Sequence, residues 1–209
     1  MACFIPLYDW HRDKLSVHDR LRMKNAKRKR SFCSVKESGY KEAELGGVHM
    51  VRLRPYKDED ADIILSWCNN EEDFYKWTAG VLGTYPITRK EFDFVKSLIP
   101  FTAFDESGIV GFFTLRNPGK SINELRFGFV IVDPQKRGKG YGKAMIRQGL
   151  KFAFQIYGAR RVSLGVFENN PSAYHCYKAV GFQDMISNHV ETYCVMNEEW
   201  KCLELSMEP

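Results

Sequence analysis

Long apolar runs are missing from this 209-residue sequence. No stretch approaches the ~18 apolar residues that a membrane-spanning helix needs, and the first residues lack the apolar core of a signal peptide. We therefore expect a soluble, cytoplasmic protein that has no membrane partner.

Cysteine pairs at metal-binding spacing are also missing, although the chain has six cysteines. None of the six belongs to a CxxC pair or has a histidine at the spacing of a zinc site, so we expect no bound metal. Cys194 and Cys202 fall on segments that we predict to be neighbouring strands, where a disulfide is geometrically conceivable. An intracellular setting argues against that bond, and we expect free thiols.

Excess charge is absent from most of the chain. Lys and Arg total 31 against 26 Asp and Glu, and residues 1–45 hold 11 of the former and 6 of the latter, which accounts for the whole net charge of +5. Residues 1–47 show no sustained hydrophobic period and include the basic run KNAKRKR. We expect a basic, disordered extension over residues 1–47 and a folded domain over residues 48–209. RNA binding by the extension is an alternative, but we expect no nucleic-acid partner.

One stretch, residues 127–157, combines a strand, a glycine-rich loop and a helix. A β-branched apolar run ends at Asp133-Pro134, and the basic loop RGKGYGK follows. The helix after it has one apolar stripe at a 3.6-residue period: Ile146, Leu150, Ala153, Phe154 and Tyr157. Glycines at a helix N-terminus expose unpaired N–H donors at the positive end of the helix dipole, where an anion is favoured. The stretch therefore predicts a phosphate-binding loop.

Two common phosphate loops are excluded by spacing. A Walker loop needs GxxxxGK[ST], but Arg137 stands six residues before Lys143 and Ala144 occupies the hydroxyl position. A dinucleotide fingerprint needs GxGxxG, but Lys143 occupies the third glycine position after Gly138 and Gly140.

The remaining periodic segments predict a mixed α/β sheet. Three helices follow the first strand: one near Ile63 to Trp67, one over Glu71 to Trp77, and one capped by Thr88 with Glu91 in a capping box. The predicted strands are Met50–Arg54, Pro100–Asp105, Ile109–Leu115, Ile122–Val132, Arg161–Phe167, Met185–Met196 and Lys201–Met207. A last helix begins at Pro171 after the N-cap Asn170 and ends before Gly181.

The loop and the last helix together resemble one family. The spacing RxxGxG, from Arg137 to Gly142, resembles the pyrophosphate loop of the GNAT superfamily of acetyl-CoA-dependent N-acetyltransferases. The series Asn170, Ala173, Tyr177 and Gly181-Phe182 resembles the second motif of that family, about 28 residues further on. The resemblance implies a GNAT-like α/β fold, with a mixed, mostly antiparallel twisted sheet flanked by helices.

The resemblance also implies how acetyl-CoA, a cosubstrate, is bound. The strand end Val130 to Val132 would pair with the pantetheine arm, and the N–H of Val132 would polarise the acyl carbonyl. The residues implied to hold the cofactor are Val130, Ile131, Val132, Arg137, Gly138, Lys139, Gly140, Tyr141, Gly142, Lys143 and Asn170. A capping role alone would account equally well for Asn170.

Tyr177 matches the residue that protonates the departing thiolate in the family, the alternative being a core tyrosine. The resemblance leaves the general base open. Many relatives have a glutamate where this chain has Arg126, and others have one where it has Gly165. Glu124 lies on the same strand face as Arg126 and is our candidate base, with plain surface exposure as the alternative.

The sequence therefore predicts an N-acetyltransferase that transfers acetyl by direct attack of a primary amine, without a covalent intermediate on Cys176. The acceptor is a small molecule or a peptide or protein amine. A non-catalytic CoA-binding regulatory module is the alternative, because Arg126 and Gly165 depart from the family pattern. The acceptor, the base and the oligomeric state, including a homodimer, stay open.

Overall fold

The computed structural model describes residues 50–119, 123–186 and 190–209. The predicted extension over residues 1–47 lies outside the described residues. Within the described ranges, no helix is long and apolar enough to cross a bilayer.

Eight strands in the described residues form one mixed sheet in the spatial order β1-β2-β3-β4-β5-β8-β6, with β7 also paired to β8. The strands are β1 (Arg52–Pro55), β2 (Ile99–Asp105), β3 (Gly108–Arg116), β4 (Glu124–Val132), β5 (Arg161–Phe167), β6 (Gln183–Asp184), β7 (Glu191–Val195) and β8 (Glu198–Met207). The pair β4–β5 is parallel, and the other recorded pairs are antiparallel. This architecture confirms the predicted mixed, mostly antiparallel fold class.

Helices cover both faces of the sheet. The α-helices are α1 (Ala61–Leu65), α2 (Glu71–Thr78), α3 (Arg89–Phe92), α4 (Tyr141–Lys151) and α5 (Pro171–Val180). Strand side chains alternate between the two faces, so neighbouring residues enter different cores. Phe113 of β3 packs in the cluster that contains α4 and α5, while Phe112 packs in the aromatic cluster under α1, α2 and α3.

The predicted helix caps are confirmed. Thr88 accepts a hydrogen bond from the N–H of Glu91, whose carboxylate accepts the N–H of Thr88 in return. Asn170 accepts from the N–H of Ala173 at the start of α5, and Gly181 ends that helix at a φ of 122°. Because each cap satisfies otherwise unpaired backbone groups, these short motifs set the helix bounds without tertiary help.

Two predicted elements were wrong in detail. Of the expected single strand Met185–Met196, only β7 (Glu191–Val195) is formed in the described residues. The two-residue strand β6 ends just before Met185, and residues 187–189 lie outside the described residues. The helix stripe also fails at its end, because α4 continues as a π-helical segment over Phe152–Tyr157. A π turn holds more residues per turn than the ~3.6 of an α-helix, so positions after it leave the face that a 3.6-residue period predicts. Ala153 stays buried, but Tyr157 is 38% exposed.

Candidate active site

The strands β4 and β5 separate partway along their length, and we call the gap between them the fork. The two strands pair over only three residues each, with Arg126 opposite Ser163 as the last pair. Both strands then continue, β4 to Val132 and β5 to Phe167, without recorded pairing to each other. The edge of β4 that faces the fork therefore presents backbone groups to whatever enters it.

A β-bulge sets the orientation of that edge. Gly128 pairs with Thr114 and Ile131 with Phe112, so Phe129 and Val130 share one partner position on β3, and Phe129 takes a φ of 48°. Beyond the bulge, the N–H of Asp133 donates to Val110 of β3 at 3.0 Å. Backbone groups alternate along a strand, so the N–H groups of Val132 and Val130 face the fork, whereas the N–H of Ile131 faces β3.

The glycine-rich loop lies at the open end of the fork. Gly138 and Gly140 have φ angles of 75° and 87°, which only glycine adopts without strain, and Gly140 is the residue before α4. No atom lies within 4 Å of a Cβ built on either glycine, so the space beside them is open. The first N–H groups of α4 have no intrahelical partner, and Lys139 and Lys143 add positive charge. A phosphate group fits this site.

Residues of the β2–β3 turn contact residues on either side of the glycine-rich loop. Tyr141, the first residue of α4, is buried and donates its hydroxyl hydrogen to Asp105 at 2.8 Å. Lys136 donates to Ser107 at 2.5 Å, and its ammonium lies 5.1 Å from the centre of the Tyr141 ring. Hydrogen bonds from the Ser107 hydroxyl, from Tyr141 and from the Ser107 N–H lower the pKa of Asp105 to about 2. We call Asp105, Ser107, Lys136 and Tyr141 the turn clamp.

Arg137, the first residue of the RxxGxG motif, lies across the mouth of the fork. Its Nε donates to the carbonyl oxygen of Val132 at 3.3 Å, and its Nη1 lies 3.7 Å from a carboxylate oxygen of Asp73 on α2. The side chain is half exposed, so it can turn toward an anion in the loop.

Tyr177 of α5 is buried in the same apolar cluster as Tyr141, Val130 and Val132. Its ring contacts Phe182 edge to face, with 6.1 Å between the ring centres. Burial raises the pKa of the Tyr177 phenol above its usual value, so the hydroxyl keeps its proton at neutral pH. The structure therefore brings the strand end, the start of α4 and Tyr177 into one cluster.

A polar cavity of about 190 Å³ lies at the closed end of the fork. Glu124 lines it and accepts a hydrogen bond from Ser163 at 3.3 Å. Arg126 and Glu204 line it too, and their side chains form a bidentate ion pair with distances of 2.5 and 2.6 Å. The candidate base Glu124 thus shares its cavity with a carboxylate that the sequence analysis missed.

Among the described residues, Cys68, Cys176, Cys194 and Cys202 are not joined in disulfides. Cys202 pairs with Glu191 and Cys194 with Glu199, so the two cysteines are offset along neighbouring strands and are not placed for a disulfide. Burial raises the pKa of Cys176, which lies over the start of α4 where a Cβ on Gly142 would be 3.3 Å from its sulfur. In the part of the chain that the structure describes, no group of His, Cys, Asp or Glu could hold a metal ion.

Sequence reasoning missed Asp105 and Glu204. Asp105 was predicted as the end of a strand before a turn, which gave its place but not its contact with α4, 36 residues later. The alternation in β8, where Cys202, Glu204 and Ser206 alternate with Leu203 and Leu205, predicts a polar strand face. The choice of Arg126 as the partner of Glu204 depends on strand order, which local pattern does not encode.

Short stretches of two curated bacterial enzymes resemble this chain. Over 53 residues it is 34% identical to the spermidine N(1)-acetyltransferase of Vibrio cholerae and 36% identical to the spermine/spermidine N(1)-acetyltransferase of Bacillus subtilis. These matches cover 25% of this chain, and they span only about a third of the length of the curated relatives, 31% and 35%.

Solved structures share the fold over a longer range. The spermidine N-acetyltransferase of Vibrio cholerae in complex with CoA and spermine superposes with a TM-score of 0.65 at 20% identity, over 76% of this chain and 95% of that one. A GNAT-family acetyltransferase from Bacillus anthracis gives 0.62 at 16% identity, over 76% and 94%. The family model described as Acetyltransferase (GNAT) family matches residues 57–182, which include the fork, the glycine-rich loop and α5. The chain therefore belongs to the acetyltransferase (GNAT) family.

Proposed function

We propose that this protein transfers the acetyl group of acetyl-CoA to a primary amine of a small cationic molecule. The observation that carries the proposal is the fork in the sheet, which opens directly onto the glycine-rich loop. A chain of amides can pair with the free edge of β4 while its diphosphate lies at the start of α4.

The loop holds the diphosphate through backbone and charge. The N–H groups from Gly138 to Lys143 surround the open space beside the two left-handed glycines, and Arg137 and Lys139 supply positive charge. Arg137 exchanges its contacts with Val132 and Asp73 for a phosphate oxygen. Asn170 supports α5 as its N-cap and acts on the cofactor through the position of that helix.

The free edge of β4 polarises the acyl carbonyl. The N–H groups of Val130 and Val132 face the fork, and one of them donates to the carbonyl oxygen as negative charge develops there. Such a donor, fixed in advance, typically contributes ~3 kcal/mol to transition-state stabilisation. The N–H of Ile131 faces β3 and not the fork. We therefore assign Ile131 a role in pairing β4 with β3, and no contact with the acyl carbonyl.

Tyr177 protonates the leaving group. The acceptor nitrogen forms a bond to the acyl carbon, the carbon–sulfur bond breaks, and the sulfur takes the phenolic proton. Support for this role comes from the apolar cluster that Tyr177 shares with Val130 and Val132, and from a phenol that is protonated at neutral pH, as a donor must be. The raised pKa of Cys176 disfavours its thiolate, which supports direct attack over a covalent acyl-enzyme.

Glu124 removes the acceptor proton through ordered water, because it precedes Val130 by six strand residues, on the order of 20 Å. Its carboxylate lies in the polar cavity at the closed end of the fork and accepts from Ser163. Polyamines are the first acceptor class to test, because the named relatives act on spermidine and spermine, which are cationic primary amines. Anionic side chains at the closed end of the fork suit such a substrate.

The test measures thiol release from acetyl-CoA with a panel of primary amines, together with calorimetry of acetyl-CoA binding. We expect binding and amine-dependent release. Binding without release on any acceptor would instead favour the non-catalytic CoA-binding module, and absence of binding would refute both.

A second experiment tests the proton donor. Tyr177→Phe should lower kcat by roughly 10²- to 10⁴-fold, the range typical of a lost general acid. The phenyl ring keeps the contact with Phe182, so acetyl-CoA affinity and the unfolding midpoint should hardly change. Tyr174→Phe is the matched control, because that hydroxyl contacts Asp184 on the exposed side of the same helix. Unchanged kcat in the Tyr177 variant would defeat the assignment.

A further inference from the structure

Two positions on the sheet face opposite α4 and α5 lack the acidic side chains that the family pattern leads one to expect. Arg126 stands at the first, on β4, and Gly165 at the second, on β5. The structure brings the two together at the fork, since Arg126 belongs to the last pair of β4 with β5 and Gly165 lies two residues further along β5.

A third residue fills the space between them. Glu204 of β8 pairs with Gly165 in the sheet, and its carboxylate reaches over the glycine to the guanidinium of Arg126. A Cβ built on Gly165 would lie 2.8 Å from Nη2 of Arg126 and 2.9 Å from Oε1 of Glu204. The absence of a side chain at Gly165 is therefore what lets the ion pair cross β5.

The ion pair is not sealed in the core. The side chains of Arg126 and Glu204 are 21% and 24% exposed, and both line the cavity that also contains Glu124. Arg126 pairs with Glu204, and Arg116, the strand partner of Arg126, also interacts with Glu204. A carboxylate held by an arginine in a fixed bidentate geometry keeps lone pairs for a further donor.

We propose that Glu204 is an acceptor-binding residue and that Arg126 is the positioning residue that fixes its carboxylate. This inference rests on the proposed function and names the group that orients the attacking nitrogen. Glu204 accepts a hydrogen bond from the ammonium or amine of the acceptor and holds it at the closed end of the fork. Glu124, in the same cavity, is left to take the proton.

The first test is Glu204→Gln, measured as kcat and KM for spermidine and as the Kd of acetyl-CoA. We expect kcat/KM for the amine to fall roughly 10- to 100-fold, mainly through KM, as the loss of one charge-assisted hydrogen bond gives. The Kd of acetyl-CoA should stay within twofold. Glu208→Gln is the matched control just beyond the end of β8, since Glu208 pairs with the exposed Arg161, and it should leave every constant unchanged.

A second variant covers the case in which Glu204→Gln leaves Arg126 unpaired and the protein fails to fold. The double variant Arg126→Met and Glu204→Met replaces the whole pair by apolar side chains of similar volume, a change that folded proteins often tolerate. It should bind acetyl-CoA normally and lose the same factor in kcat/KM for the amine. Full amine activity in the double variant, or an equal loss in amine KM and acetyl-CoA affinity, would overturn the role of Glu204. Failure of the unaltered protein to acetylate any amine would refute the proposed function itself.

Discussion

Replacing Tyr141 with phenylalanine tests whether the turn clamp prepares the glycine-rich loop for its ligand. The ring of Tyr141 is 4% exposed, so phenylalanine keeps the packing and removes only the hydroxyl that donates to Asp105 at 2.8 Å. A hydrogen bond to a charged group contributes about 1.5–3 kcal/mol. Asp105 keeps two hydrogen bonds from Ser107, so we expect a loss near the lower end, about 1.5 kcal/mol of unfolding free energy.

That loss should appear in two assays. For a domain of this size it corresponds to a fall of about 3–6 °C in the melting temperature, which calorimetry resolves. If the clamp also fixes the loop, the Kd of acetyl-CoA should rise by up to about tenfold, the equivalent of 1.4 kcal/mol. Combining Tyr141→Phe with Asp105→Asn should cost less than the two single changes together, by about 1 kcal/mol, because both remove the same contact.

The exposed hydroxyl of Tyr174 provides the control for this experiment. It contacts Asp184, and its removal should change stability by less than about 0.5 kcal/mol. Strict additivity of the Tyr141 and Asp105 variants, with an unchanged Kd for acetyl-CoA, would refute the clamp as a support for the loop.

Three further predictions concern packing and pH. Gly149→Ala places a Cβ 2.7 Å from the ring of Phe127, so overpacking of about 1–3 kcal/mol should exceed the ~1 kcal/mol gain in helix propensity, and urea unfolding should show a net loss. Gly165→Ala should destabilise by a similar amount, whereas Gly119→Ala, with open space around it, should not. Because folding lowers the pKa of Asp105 to about 2 from 3.8, its contribution is complete above about pH 4 and is lost as the pH falls toward 2, and Asp105→Asn should flatten that part of the stability curve measured by urea unfolding.

The elements that are determined locally were predictable from the sequence. The Thr88 and Asn170 caps, the strand Arg161–Phe167 and the glycine-rich loop before α4 each depend on residues a few positions apart. The bulge at Phe129 was not predictable, because it is a mismatch between two strands and neither strand shows it alone. The π-helical segment that leaves Tyr157 exposed was not predictable either. It lies between the end of α4 and the start of β5.

The residues of the candidate site also fall into a locally determined group, which was predictable, and a group set by long-range contacts, which was not. The loop, the strand end and Tyr177 lie in two contiguous motifs, so local spacing is enough to identify them. Glu204 and Asp105 act at contacts that span 78 and 36 residues and join strands or turns distant in sequence. Such contacts follow from strand order and register, which hydrophobic period does not specify.

The parallel ladder between β4 and β5 has only three residue pairs, although both strands continue beyond it. The sheet therefore has a gap between these two strands. A bound pantetheine arm would serve as a small-molecule strand that closes the gap. Amide hydrogens of Val130 and Val132 should then exchange slowly only in the liganded protein, so that the cofactor, besides carrying the acetyl group, completes the secondary structure of its own binding site.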